Sequence, residues 1–320
     1  MIRARSLLPL VLALVAANWT AAREPREETL LRAHLWNQVL SLPPKERPVV
    51  GLALSGGGVR GLAHVGVIKV LEDAGFPIDV VTGTSMGAII GSLYAGGLPM
   101  PDPADLPKYV NEVTITNPNK IALLRLIITD HLMSTKGLEE FIRKRIGDKQ
   151  FSQLPKRFGC VAMDIKTGEA ILFRDGPVAP AVRASMNLPG GFAPVEYRHR
   201  YLVDGGVVDY IPIDLNKLLG AEWVLASVTE GDYTRSSPSN VLSTLEQVID
   251  IQGSILSRQQ RRQADMLIEP PVGDIFFYET NRSQEAAEKG VVAASRKLPE
   301  AQEKLVLFSL SRLWRRWTSK

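Results

Sequence analysis

Compact apolar runs recur along this chain, with stretches of helical spacing between them. The run Val49-Val50-Gly51-Leu52-Ala53-Leu54 has no polar position and reads as a strand buried on both faces. Asp79 to Thr82, Phe158 to Asp164, Glu169 to Phe173, Tyr201 to Val203 and Trp223 to Val228 read as further strands. Their alternation with helical segments predicts an α/β fold, a mostly parallel sheet sandwiched between helix layers. A helix expected from Leu62 to Ala74 is apolar nearly all round, at Leu62, Val65, Val67, Ile68, Val70 and Leu71, so it belongs at the centre of the molecule. Gly75 ends it, with Pro77 just beyond. The helix expected after Ser85 carries Gly87, Gly91 and Ala95 at every fourth position, a narrow ridge that permits close packing.

Three junctions hold the candidate chemistry. In Gly83-Thr84-Ser85-Met86-Gly87 a serine sits between strand and helix, the setting of a G-x-S-x-G elbow. The strained turn holds the hydroxyl proud of the sheet, and side chains at Gly83 and Gly87 would clash. Upstream, the first strand runs into Ser55-Gly56-Gly57-Gly58-Val59-Arg60-Gly61. Consecutive glycines at a helix start expose N–H groups, which suits a phosphate or the oxyanion of a tetrahedral acyl intermediate. The same residues fit G-x-G-x-x-G, but a dinucleotide site requires an acid at the carboxyl end of the second strand, and Asp79 opens that strand instead. The third junction, Leu202-Val203-Asp204-Gly205-Gly206, ends a short strand in a carboxylate where α/β folds bind ligands, although alone it also reads as a hairpin corner.

Taken in order, these motifs resemble the patatin-like phospholipase family, from Val49 to about Leu298. The segment Ala181 to Gly190, followed by Phe192-Ala193-Pro194-Val195, is similar to what precedes Asp-Gly-Gly in bacterial members. The resemblance implies a three-layer α/β/α hydrolase acting on acyl-ester lipids, phospholipid or lysophospholipid foremost, through a Ser–Asp dyad. Ser85 would be the nucleophile and Asp204 the base. Backbone amides of Gly56, Gly57, Gly58 and Val59 would form the oxyanion hole, with Arg60, Gly61, Gly83, Gly87, Gly205 and Gly206 in support. Plant members often have Asp where Ser55 stands, and Gly191 takes the place of a larger residue, which would widen the pocket.

Aspartate as sole base imposes a demand of its own. A carboxylate with the ordinary pKa of about 3.9 is a poor acceptor for a serine proton, so Asp204 should be desolvated and its basicity raised. Arg60 reads in two ways, as a cation favouring developing negative charge or as a salt bridge bracing the loop. The histidines are His34, His64, His131 and His199, and none follows Asp204. A Ser-His-Asp esterase would therefore have to run Ser85, then Asp164 or Asp175, then His199, whose charged surroundings suggest a solvated hairpin tip. His64 fits a packed or capping role in the central helix. A non-enzymatic lipid-binding protein that keeps the fold is the other alternative.

With 320 residues and 45% hydrophobic content the chain can build a sizeable core. Four units are expected: a signal peptide over residues 1–22, a polar leader over 23–48, the hydrolase domain over 49–300, and a basic amphipathic helix over 301–320. Arg3 and Arg5 before the apolar run Leu7 to Ala17, with Thr20-Ala21-Ala22 beyond, predict export to a periplasmic or extracellular compartment with cleavage after Ala22; an uncleaved inner-membrane anchor is the alternative. Cys160 is the sole cysteine and lies in a strand, so no internal disulfide forms. No metal-ligand cluster or cofactor motif is evident, and nucleic acid is not an expected partner. At the far end Val306, Leu310, Leu313, Trp314 and Trp317 fall at helical spacing among Arg312, Arg315, Arg316 and Lys320. Together with the net charge of +4, this points to an anionic membrane surface, or else to a helix docked on the core. The proline-broken stretch Gly96 to Leu138, with its apolar block Ile121 to Ile128, reads as an acyl-pocket lining, a lid or a plain core helix.

Overall fold

A computed structural model of the chain describes residues 27–115, 136–190, 192–235, 241–277 and 279–318. The expected signal peptide, the block Ile121 to Ile128, His131 and Gly191 lie outside these residues.

The strands are β1 (Val50–Leu54), β2 (Val80–Thr84), β3 (Arg157–Asp164), β4 (Ala170–Phe173), β5 (Val195–Tyr197), β6 (Arg200–Asp204), β7 (Trp223–Ser227) and β8 (Met266–Ile268). They form one sheet in the order β5-β6-β3-β2-β1-β7-β8, with β4 also paired to β3. From β3 through β8 every pairing is parallel, whereas β4, β5 and β6 join antiparallel. The mostly parallel sheet expected from the apolar runs is therefore present. β1, β2 and β7 are buried at every residue, as strands covered on both faces must be.

Around the sheet lie helices α1 (Glu27–Leu40), α2 (Ala63–Asp73), α3 (Met86–Ala95), α4 (Leu106–Ile115), α5 (Lys136–Ile146), α6 (Val178–Ser185), α7 (Ile213–Leu218), α8 (Val241–Gln260) and α9 (Ser283–Thr318). The larger core cluster gathers side chains from α1, α2, α3, α5, α6 and α9 on one face of the sheet, and the smaller holds Tyr210, Ile211, Ile213, Val224 and Ala226 on the other. Two faces, each covered, give the three layers.

The central helix α2 begins one residue after a 3-10 turn over Gly58–Leu62 and is buried through Val67, Ile68 and Leu71. Each such side chain contributes about 1.5–3 kcal/mol. Gly66 of α2 faces the Ala287 carbonyl and Gly290 of α9 the Ala63 carbonyl, so the two helices touch backbone to backbone.

The outer boundaries differ from those expected. A single helix, α9, runs without a break from Ser283 to Thr318, straight through the boundary expected at residue 300. In α1, Trp36 and Val39 are buried in the larger core cluster, so the polar leader is packed onto the body of the fold. The tail residues expected to share one apolar face divide between two. Val306 and Leu313 point inward with Leu305 and Ser309, while Leu310, Trp314 and Trp317 are exposed. Among the described residues no helix is long and apolar enough to cross a membrane.

Candidate active site

β2 ends at Thr84, and the chain reverses into α3 through Ser85, whose φ of 55° is a left-handed conformation rare for a residue with a side chain. As the cap of α3, Ser85 has no acceptor for its amide within the helix, and the amide donates to the Ser185 hydroxyl at the end of α6, 3.0 Å away. The flanking glycines are required by close approach. A Cβ on Gly83 would strike the Gly87 carbonyl, and one on Gly87 would lie 2.5 Å from the Leu54 oxygen. Local clash avoidance thus explains the G-x-S-x-G spacing as expected.

Asp204 reaches Ser85 by a route the sequence did not reveal. β6 runs antiparallel to β3, so its carboxyl end would ordinarily face the wrong edge of the sheet. However, β4 fills one edge of β3 over Cys160 to Met163, which leaves β2 and β6 to share the other edge. They meet end to end: Val161 pairs with Thr84, and the next residue, Ala162, pairs with Asp204. Gly205 lies against the Val161 carbonyl, where a side chain would not fit. Asp204 is 5% exposed, and its Oδ1 accepts from the Gly206 amide at 2.8 Å. Burial pushes its carboxyl up to about 6, while the nearby Ser85 hydroxyl and the Gly206 amide act in the opposite direction.

In the glycine-rich loop the four amides are not equivalent. Gly56 N–H donates to the Tyr210 carbonyl at 3.1 Å and Val59 N–H to the Phe277 carbonyl at 3.0 Å. Both are consumed by the fold, which corrects their expected place in an oxyanion hole. The Gly57 and Gly58 amides have no protein acceptor among the described hydrogen bonds, and both residues have positive φ, 143° and 56°. Gly56 lies beside Ser85, since a Cβ there would be 3.7 Å from the serine Cβ. Gly61 lets the loop close onto Met86. Arg60 is buried and bound to Asp250 of α8 and to the Ile275 carbonyl, so of its two readings the brace is the one present.

The histidines stand apart from the serine. His199 is exposed at the tip of the β5–β6 hairpin with φ 64°, and five strand positions separate it from Asp204, about 16 Å at 3.3 Å per residue. His64 is wholly buried between Ser55 and Ser227. His34 is exposed on α1. The geometry thus gives the triad alternative no histidine at Ser85 among the described residues. Asp79 bonds Arg47 and the Val50 amide at the opposite edge of the sheet, so no ribose-binding acid is present there. Cys160 is buried in β3, and burial pushes its thiol well above the usual range.

An apolar cavity of about 380 Å³ adjoins the elbow. Val59 and Met86 line it at the elbow, Ile90 along α3, Leu98 and Met100 from the proline-rich stretch, and Leu138 and Phe141 from α5. The Arg145 guanidinium lies in its wall, 4.9 Å from the Tyr109 ring and 5.2 Å from that of Phe141. Part of the stretch from Gly96 to Leu138 is therefore cavity lining. Ser185 lies in the segment Ala181 to Gly190 and Tyr210 in no motif, and the sequence assigned neither a role, because each acts through long-range bonds to backbone. Among the described residues no cluster of His, Cys, Asp and Glu is placed to hold a metal.

Comparison with known proteins places this geometry in a family. An uncharacterized NTE family protein of Mycobacterium bovis is 36% identical over 170 residues, 52% of this chain and 45% of that protein. The lysophospholipase nte1 of Emericella nidulans is 39% identical over 193 residues, 59% of this chain and 12% of that protein. The chain thus spans less than half the length of these curated relatives. Among solved structures, VipD from Legionella pneumophila superimposes with a TM-score of 0.45 at 14% identity, over 80% of this chain and 67% of that one. The family model described as patatin-like phospholipase matches residues 52–216. That match covers just over half of the chain and takes in the glycine-rich loop, Ser85 and Asp204 together, so the chain belongs to the patatin-like phospholipase family.

Proposed function

We propose that this protein is a lipid acyl hydrolase in which Ser85 attacks the ester carbonyl and Asp204 takes its proton. The observation that carries the reading is the end-to-end meeting of β2 and β6, which sets a buried carboxylate of raised basicity beside a serine held in a left-handed turn. The Gly57 and Gly58 amides are the oxyanion donors in this scheme, because among the described hydrogen bonds they have no protein acceptor, unlike those of Gly56 and Val59. Hydrolysis then runs in two steps. Ser85 displaces the alcohol, which leaves with the proton held by Asp204, and water activated by the same carboxylate releases the fatty acid from the acyl-serine.

The cavity beside Met86 suits the acyl chain, since its walls are almost wholly apolar. Phospholipid and lysophospholipid are the substrate classes we favour, supported by the family membership and by this cavity. We further propose that the exposed Leu310, Trp314 and Trp317 of α9 meet an anionic membrane surface. Export with cleavage after Ala22 is part of the same proposal and is tested by N-terminal sequencing of protein from the native host. Acyl release from a panel of p-nitrophenyl esters and phospholipids, wild type beside Ser85→Ala, tests the central reading. Equal activity in the two would overturn it.

A further inference from the structure

The glycine-rich loop is held from behind by buried polar groups for which the Ser85 chemistry has no direct use. Ser55, His64, Ser227 and Thr229 are each wholly buried. His64 Nε2 lies 3.0 Å from the Ser55 carbonyl oxygen, and Nδ1 lies 2.8 Å from Ser227 Oγ. A carbonyl oxygen can only accept, so the imidazole proton is on Nε2 and Nδ1 accepts from the Ser227 hydroxyl. Burial pushes the ring down to about 4, which keeps it neutral at working pH.

Ser55 is the residue at which β1 becomes the loop. Its amide donates to the Ser227 carbonyl at 3.1 Å, and its hydroxyl accepts from the Thr229 amide at 2.9 Å. The Thr229 hydroxyl donates to the Gly56 carbonyl at 2.9 Å. From the other side Gly87 of the elbow packs against the Ser55 carbonyl oxygen. One carbonyl therefore joins the imidazole to both the loop and the elbow.

We propose that His64 is a positioning residue for ester hydrolysis: by clamping the Ser55 carbonyl to Ser227 it fixes the direction of the Gly57 and Gly58 amides relative to Ser85. The inference rests on the reading of those two amides as oxyanion donors. Donors aimed before the reaction stabilise the tetrahedral state and add little to ground-state binding, so loss of the clamp should fall on kcat more than on KM. Ser227 acts through His64. Without its hydroxyl Nδ1 loses its donor and the ring its second anchor, so the Nε2–H bond to the Ser55 carbonyl is no longer held in line.

The test uses the full chain and a soluble short-chain ester. His64→Leu removes both bonds at similar volume, and His64→Gln restores an N–H donor near the Nε2 position. In His64→Leu, kcat should fall by about tenfold or more with KM within about threefold, and affinity for an alkyl boronate that becomes tetrahedral on Ser85 should fall in parallel. His64→Gln should lie between that variant and wild type. If His64→Leu does not fold, Ser227→Ala carries the test, with an expected loss of about threefold or more in kcat at unchanged KM. A wild-type kcat in the folded variant, or unchanged boronate affinity, would overturn the proposal. Ser85→Ala run alongside separates the two readings. Activity in Ser85→Ala sinks the hydrolase itself, whereas an inactive Ser85→Ala beside a wild-type-like His64→Leu sinks only the positioning role.

Discussion

The Ser85 amide and the Ser185 hydroxyl are 3.0 Å apart and tie the elbow to the end of α6, a hundred residues further along the chain. The N–H of a residue that caps a helix start has no acceptor within the helix, so this bond satisfies a donor that would otherwise be buried and unpaired. Ser185→Ala should cost about 1–3 kcal/mol of stability. Because the elbow also loses its tether, kcat should fall with little change in KM. Urea denaturation and steady-state kinetics measure the two effects, and a variant as stable and active as wild type would refute the tether.

Ser85→Ala and Asp204→Asn should each abolish turnover, with residual rates at least about a thousandfold down. A fluorophosphonate probe should label wild type and His199→Ala alike, and Ser85→Ala not at all. Loss of labelling in His199→Ala would revive a histidine-dependent triad.

The Asp204 carboxyl is raised by burial to about 6, and its ionised form is the proposed base. On a soluble ester, kcat/KM should therefore climb with pH through about 6 and level off above. Stability should move the other way. Between the ordinary carboxyl value and about 6 the folded state holds more protons than the unfolded, so this residue's contribution falls as pH rises through that window. Asp204→Asn should be more stable than wild type at pH 7, on the order of 1–3 kcal/mol, with the difference gone at about pH 3. Absence of any gain at pH 7 would mean that the carboxylate is solvated.

Asp209 titrates in the same range, raised by burial to about 6 while the Gln260 amide, 2.7 Å from its Oδ1, acts against the shift. Asp209→Asn should shift stability in the same direction but keep the acid limb of the activity profile near pH 6. If that limb vanishes with Asp209, the base has been misassigned.

Filling the cavity should change chain-length preference without touching the chemistry. Leu98 lines it and is only partly buried, so a larger side chain there can be accommodated at modest cost. Leu98→Trp should lower the ratio of long-chain to short-chain ester hydrolysis by about tenfold or more while sparing the short-chain rate. An unchanged ratio would place the acyl chain elsewhere.

The tail can be tested more cleanly by point substitution than by truncation, since removing it would also take away the buried Leu305 and Leu313. Trp314 is 64% exposed and Trp317 43%, so Trp314→Ser with Trp317→Ser should leave thermal stability unchanged. Binding to anionic vesicles and hydrolysis of vesicle-borne lipid should both drop, with soluble-ester activity preserved. Undiminished vesicle binding would exclude this face as the membrane contact.

Much of the fold was legible because it rests on local signals. Apolar runs marked β1, β2, β3 and β7, and the glycines at 83 and 87 marked the elbow because steric clash there is a short-range matter. What could not be read depends on register and on long-range bonds. Whether Gly56 or Gly57 keeps a spare N–H is decided by the position of Tyr210, more than 150 residues later. Likewise Val306 and Leu310 have the same character in sequence, and only the packing of α9 onto the rest of the fold sends one inward and the other out.

Because β2 and β6 abut along one edge of β3, two consecutive residues of β3, each paired to a different strand, set the spacing of Ser85 and Asp204. The length of chain between them does not enter. Loops in that interval can grow or shrink without moving the two residues, provided that Val161 and Ala162 keep their partners and Ser185 keeps its bond to the elbow. A slip of β3 by one residue would do the reverse and disable the site while leaving every helix in place. The architecture therefore separates what must stay fixed from what is free to diverge, and the walls of the apolar cavity lie largely on the free side.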